Sequence, residues 1–315
     1  MCLRWSLCCY DNNLDFKESV MVDRNLKQKL RETFPFLYRL YCYLRYIRSF
    51  YLYKKCLILN QPYFGAYLSA RQGNPIRHAY MSQLVKQECV QRGNGSFKVL
   101  EIGSWAGGSA ITWAQAIKSF HQGNGIVVCV DSWEPYIDLE KERDMHYLRM
   151  NMALETGTVF KLFVHNIRTS QNNDIVFAVK APADRVLPLF LSEKFDLVFV
   201  DGDHAYSNVS RDLRNCARLV AEGGILCGDD LELQLPQVDV NYAQQMSEVD
   251  YIQDPKTGKW FHPGVAVAVK EMLGTVSVWE GFWAMRRRGN RWESVVMEGQ
   301  SSRDLTIPTH LVEQK

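Results

Sequence analysis

The 315-residue chain has no CxxC pair among its nine cysteines, at positions 2, 8, 9, 42, 56, 89, 129, 216 and 227. An odd, scattered set excludes a disulfide framework and offers no clustered zinc site, so reduced thiols in a cytoplasmic protein are expected. Long hydrophobic runs are missing too. No window reaches about 20 apolar, uncharged residues, so no membrane-spanning helix is expected. Met1–Tyr10 lacks the apolar stretch and small-residue cleavage site of a secretory signal. Neither sign of charge dominates: 37 Lys and Arg against 35 Asp and Glu leave +2. That balance calls for neither nucleic acid nor an acidic partner. The absence of GxxxxGK(S/T) argues against phosphate-driven nucleotide chemistry, and the absence of GxGxxG against a nicotinamide fingerprint. No internal repeat or low-complexity tract is visible.

What is present is a large apolar supply, 47% hydrophobic and 12% aromatic, enough for a sizeable core. Residues 1–60 read as a leader followed by a basic, aromatic helical extension, and 61–315 as the main domain. Within 24–59, "FPFLYRLYCYLRYIRSFYLYKKCLILN" mixes Tyr, Leu and Phe with Arg39, Arg45, Arg48, Lys54 and Lys55. Two readings stand: a helix packed on the main domain or on a second copy in a homo-oligomer, or a helix lying on an anionic membrane surface with aromatics down. From Phe97 onward, apolar β-branched runs alternate with helical stretches. Strands are predicted at 98–103, 126–131, 175–179, 195–201 and 224–229, and helices near 107–120, 139–155, 183–192 and 206–220. Strands apolar on both faces and separated by helices predict an α/β fold with a mostly parallel sheet. Residues 231–262, with Pro236, Pro255 and Gly258, read as an inserted lid. "PGVAVAVKEML" reads as a helix, and two final strands meet near "RGN".

"VLEIGSWAGGSAITWA" (99–114) is a strand, a glycine-rich turn and a helix start, whose backbone amides can face a ligand. The next strand ends at Asp131, where a carboxylate can hold two ribose hydroxyls. E-I-G-S-W-A-G-G-S followed by V-D-S-W resembles the first two motifs of class I S-adenosylmethionine-dependent methyltransferases. The resemblance implies a Rossmann-like, seven-stranded, mostly parallel sheet flanked by helices. It also implies a cofactor site of Glu101, Gly103, Ser104, Trp105, Gly107, Ser109, Asp131, Ser132, Trp133 and Asp201, with Trp133 against the adenine. Ala183 and Asp184, in "APADR" after the third strand, stand where that family places adenine contacts.

"VDGDHAY" (200–206) ends the fourth strand and "GGILCGDD" (223–230) the fifth. Parallel strands deliver their carboxyl ends to one edge, so Asp201, Asp229 and Asp230 are expected to converge. Three carboxylates in one cleft repel each other, and a divalent cation with oxygen ligands, Mg²⁺ or Mn²⁺, would relieve them. His204 could then take the proton of a substrate hydroxyl. The two segments resemble metal-dependent O-methyltransferases, with His204 and Asp230 departing toward the macrocin and mycinamicin type of sugar O-methyltransferase. That resemblance, over about residues 97–285, implies O-methylation of a small-molecule hydroxyl, on a saccharide above a catechol. His262, Trp260 and Tyr242 of the lid are candidate substrate contacts. Two other classes remain open. One is a hydroxylase-like oxidoreductase, which needs two histidines and a carboxylate around iron. The other is a non-catalytic scaffold at a membrane.

Overall fold

The structure is a computed structural model that describes residues 33–69, 74–92, 95–140, 145–190, 192–297 and 305–311. The expected leader and the start of the 24–59 segment lie outside these residues. Helix α1 (Pro35–Ile58) begins, as Pro35 suggests, at its first turn. Its stretch up to Leu52 belongs to a separate compact unit, and Tyr53–Lys315 forms the other. Taken alone, the first stretch exposes Phe36, Leu37, Tyr43, Leu44 and Tyr51 between its cations. No helix among the described residues is long and apolar enough to cross a membrane.

In the second unit, α2 (Pro75–Arg92) precedes strand β1 (Phe97–Ile102), α3 (Gly108–Phe120) and β2 (Gly125–Asp131). Then follow α4 (Met145–Glu155), α5 (Thr158–Thr169), β3 (Val176–Lys180), the short α6 (Ala183–Val186), β4 (Phe195–Val200), α7 (Tyr206–Ala217) and β5 (Val220–Gly228). The chain closes through α8 (Val240–Gln245), β6 (Ile252–Gln253), β7 (Trp260–Phe261), α9 (Pro263–Leu273), β8 (Ser277–Trp279), β9 (Phe282–Arg288) and β10 (Arg291–Ser294). The main sheet runs β10-β9-β5-β4-β1-β2-β3, with β8 on the outer side of β9. Strands β1 to β5 are mutually parallel, and β9 is antiparallel to β5.

The physical reason is burial on both faces. Along β1, Val99 joins a cluster with Phe199, Cys227, Trp113 of α3 and Leu84 of α2. Its neighbour Leu100 joins the opposite cluster, with Val198, Leu226, Leu213 of α7 and Val267 of α9. Alternate side chains feed two helical layers, so the central strands are mostly apolar on both faces, with Lys98, Glu101 and Asp196 as the charged exceptions in β1 and β4.

The expected α/β class holds, with eight strands in the sheet where seven were expected. The C-terminal run makes three strands: the turn at Glu280 (φ 54) and Gly281 (φ 99) breaks it once before the hairpin at Gly289 does so again. Helices α2 and α5 were not anticipated. The segment 231–262 was expected as an inserted lid. Leu231, Leu233, Val238, Ala243, Ile252 and Phe261 are buried in the second cluster, so it packs down as part of the body.

Candidate functional site

The carboxyl ends of β1, β2 and β4 open into one cleft of about 820 Å³, within the range of sites that bury a cofactor-sized ligand. β1 lies between β2 and β4, so its glycine turn sits at the centre of this edge. Gly103 has φ +83, and a Cβ there would lie 2.0 Å from the Asp201 carbonyl oxygen. The glycine thus lets β4's end close on the turn. The turn is tied from the other side by Asp131. Its Oδ2 accepts from the Ser104 and Trp105 amides at 2.9 and 3.0 Å, and its Oδ1 from the Trp133 amide at 2.7 Å. Burial raises the Asp131 pKa against these three amides.

Of the expected cofactor residues, Gly103, Trp105, Asp131, Ser132, Ala183, Asp184 and Asp201 line the cleft. Glu101, Ser104, Gly107, Ser109 and Trp133 do not. Glu101 is fully buried beneath the turn, and burial raises its pKa to about 7. Gly107 is the left-handed cap of α3, with φ 86. Trp133 is corrected from adenine platform to core residue. It is 1% exposed, packs against Phe160 and Phe163, and donates its indole N–H to the Trp105 carbonyl at 2.8 Å. A φ of 46 at Trp133 turns the chain there.

The acid cluster forms, but not as expected. Asp201 and Asp230 face the cleft, whereas Asp229 does not. All three border a separate small cavity of about 100 Å³ together with His78 and Ser109. Burial, then Asp230 and Asp229, raise the Asp201 pKa well above the usual carboxylate range. Asp229 and Asp230 are not left for a metal. Nη1 of Arg77, from α2, lies 2.8 Å from Asp229 Oδ1 and 2.9 Å from Asp230 Oδ1, and Nη2 lies 2.9 Å from Glu232 Oε1. The contact with Asp230 is an aligned hydrogen bond; that with Asp229 is an ion pair without hydrogen-bond alignment. Among the described residues, the groupings with metal-ligand proximity include Asp201 with His204 and Asp230, and none contains Asp229. The expected Asp201, Asp229 and Asp230 ligand set therefore does not fit a divalent ion as it stands.

His204 is held at both nitrogens. Nε2 is 3.0 Å from Asp230 Oδ2 and Nδ1 is 2.5 Å from Asp250 Oδ1. Burial would lower the His204 pKa, but Asp230 and Asp250 outweigh it and raise the pKa well above its ordinary value. Burial likewise opposes ionisation of Asp250, yet His204 holds it down at about 2. Asp250 also accepts a hydrogen bond from Tyr147, across from α4. The His262 ring lies tilted against that of His204, ring centroids 4.4 Å apart, and its Nδ1 is 3.1 Å from Glu232 Oε2. Asp250, Glu232 and Arg77 were missed by the sequence reading, and no local motif marks them. His262, Trp260 and Tyr242 lie outside the cleft lining; Trp260 stacks instead on Tyr251. The two histidines and carboxylate that the sequence did not place together are nonetheless neighbours here, as His204, His262 and Asp250.

Residues 100–231 match the family model described as a methyltransferase domain. This part of the chain is similar to a methyltransferase domain. Similar solved structures include an O-methyltransferase from Bacillus cereus in complex with S-adenosylhomocysteine, 16% identical, covering 70% of this chain and 81% of that one with a TM-score of 0.41. Another is a putative caffeoyl-CoA O-methyltransferase from Staphylococcus aureus, 14% identical over 66% and 83% of the two chains, TM-score 0.43. The calicheamicin methyltransferase CalS11 is 13% identical over 66% and 77%, TM-score 0.43. A search of curated proteins gave no match. The methyltransferase match covers the glycine turn, Asp131, Asp201, His204, Asp229 and Asp230, and stops before Glu232, Asp250 and His262.

Proposed function

We propose that this methyltransferase transfers the sulfonium methyl of S-adenosylmethionine to a hydroxyl oxygen of a small molecule, with His204 as proton acceptor. One observation carries the reading. The glycine turn tied to Asp131 and the pair His204–Asp230 border the same cleft. A donor bound along β1 and β2 and an acceptor hydroxyl at the end of β4 would then meet in one cleft, and alignment supplies much of the catalysis. His204 takes the proton as the oxygen attacks the methyl carbon and the sulfur leaves as a thioether. Asp250 orients the imidazole and, with Asp230, stabilises its charged form.

The charge of the cleft supports a cofactor with a sulfonium. Asp131, Glu134, Asp184, Asp203, Asp212 and Asp230 line it, against Arg211 and His204, while burial favours the neutral form of Asp201. Such a field attracts cations and repels phosphates. We therefore assign the acceptor to neutral or cationic hydroxyl compounds, a saccharide before a nucleotide sugar or a coenzyme A thioester. For residues 24–59, flotation with anionic liposomes, with and without residues 1–60, separates a membrane contact from a second copy of the chain.

The test is calorimetric titration of S-adenosylhomocysteine. Binding is expected in the wild type. Asp131→Ala is expected to weaken it by roughly 100-fold, because three backbone amides lose a charged acceptor and the turn loosens. Absence of binding by the wild type would overturn the reading. An oxidoreductase built on His204, His262 and Asp250 is the second reading, because those groups are neighbours. It requires a metal on the histidines, which the Mn²⁺ titration described below detects.

A further inference from the structure

Arg77 stands 152 residues before Asp229 in the chain and is seated among the acids with unusual completeness. It is 8% exposed. Beyond its contacts with Asp229, Asp230 and Glu232, its Nε donates to the Glu280 carbonyl at 2.5 Å. The seat itself is built into the backbone. A Cβ at Gly281 would lie 2.4 Å from Arg77 Nη2 and 2.7 Å from its Cζ, and Gly281 has φ +99. Only a glycine leaves that volume to the guanidinium while adopting that conformation. Two separate segments, α2 and the β8–β9 turn, thus cooperate to hold a fixed cation against the acids that end β5.

A divalent ion on Asp229 and Asp230 would need their oxygens at about 2.0–2.6 Å. Arg77 Nη1 already holds Asp229 Oδ1 and Asp230 Oδ1. The other Asp230 oxygen, Oδ2, is at 3.0 Å from His204 Nε2. A guanidinium does not deprotonate in a protein, so it cannot yield the site by losing charge. An incoming dication would have to displace it against direct repulsion.

We propose that Arg77 is the resident cation of this acid cluster, standing where the resemblance implies a divalent ion, so that methyl transfer proceeds without bound metal. The inference rests on the methyltransferase reading above. The step balances without a metal. The acceptor O–H proton passes to His204, the oxygen–methyl bond forms as the carbon–sulfur bond breaks, and the sulfonium charge disappears with the departing thioether. The imidazolium then returns its proton to solvent. Arg77 touches neither cleft nor acceptor. It is a positioning residue that sets the geometry of Asp230 and, through it, of His204 Nε2.

The experiment is titration of the full chain with Mn²⁺, following free Mn²⁺ by electron paramagnetic resonance, with and without S-adenosylhomocysteine. Cofactor binding is measured calorimetrically on the same samples. The wild type is expected to bind S-adenosylhomocysteine and to show no Mn²⁺ site tighter than about 1 mM. Arg77→Met, which keeps length and removes charge, is expected to lower the melting temperature and to gain a Mn²⁺ site, with Mn²⁺ restoring its melting temperature by binding the folded state. Asp230→Asn in that background is expected to remove the new site. A stoichiometric Mn²⁺ site in the wild type that Asp230→Asn or His262→Ala abolishes, with cofactor binding intact, would overturn the proposal alone. Failure of the wild type to bind S-adenosylhomocysteine would overturn the methyltransferase reading and this proposal with it. If Arg77→Met does not fold, the wild-type titration by itself decides.

Discussion

His204→Ala is expected to lower the rate of methyl transfer by roughly 10²–10⁴-fold, with S-adenosylhomocysteine affinity almost unchanged. The rate is measured with labelled S-adenosylmethionine on the best acceptor from a screen of diols and sugars. Loss of the proton acceptor should appear in kcat and not in cofactor binding, because His204 contacts Asp230 and Asp250 and not the glycine turn. The pH profile separates a chemical role from a structural one. The paired aspartates raise the His204 pKa, overcoming burial, so the charged form, which cannot accept a proton, persists to higher pH than in a free imidazole. The rate should therefore climb with pH, its limb lying above the ordinary imidazole value of 6.5. Asp250→Asn should shift that limb to lower pH by removing one of the two carboxylates. The sign for stability is opposite. A His whose folded pKa exceeds its unfolded one contributes stability that is complete below the unfolded value, and that contribution fades as pH rises through the folded one. A His204→Ala variant within about threefold of wild type would fall short of a general base's effect and make the residue a bystander.

Gly103→Ala is expected to cost about 3–5 kcal/mol, the sum of a non-glycine residue at left-handed φ and an overpacked contact that cannot relax. The added Cβ would meet backbone atoms of Asp201 and Gly202 at 2.0 and 2.6 Å, with no flexible side chain to move aside. Relief requires the end of β4 to part from the turn after β1, which would also displace Asp201 from the cleft. Cofactor binding should fall with stability. Gly258→Ala is the internal control. Its φ is +69 and nothing lies within 4 Å of the added carbon, so only the conformational part applies, about 1 kcal/mol. Urea denaturation of both variants measures the difference. Equal costs would show that the close approach at Gly103 contributes nothing.

The elements legible in the sequence were those whose signal is local. Strands β1, β2, β4 and β5 are mostly apolar because they are largely buried on both faces, and the glycine turn and strand-end acids are contiguous with them. Helix α5 had a readable signal that was not used: Val159, Leu162, Phe163 and Ile167 recur at helical spacing and are buried. The burial within 231–262 was not legible because its polar composition hid apolar residues at irregular intervals, which only a neighbouring surface could collect.

By itself, the sequence determined the α/β class, the edge of the sheet that carries the site, and the carboxylates delivered there. These follow from period-two burial and from the direction of parallel strands, both of which are properties of short segments. Only the tertiary structure decided what those carboxylates meet. Arg77 reaches Asp229 and Asp230, Asp250 reaches His204, and Gly281 makes room for the guanidinium, at sequence separations of 152 (Asp229), 46 and 204. Electrostatic partners at such separations leave no periodicity in the chain, because their pairing depends on distance in space and not on spacing in sequence.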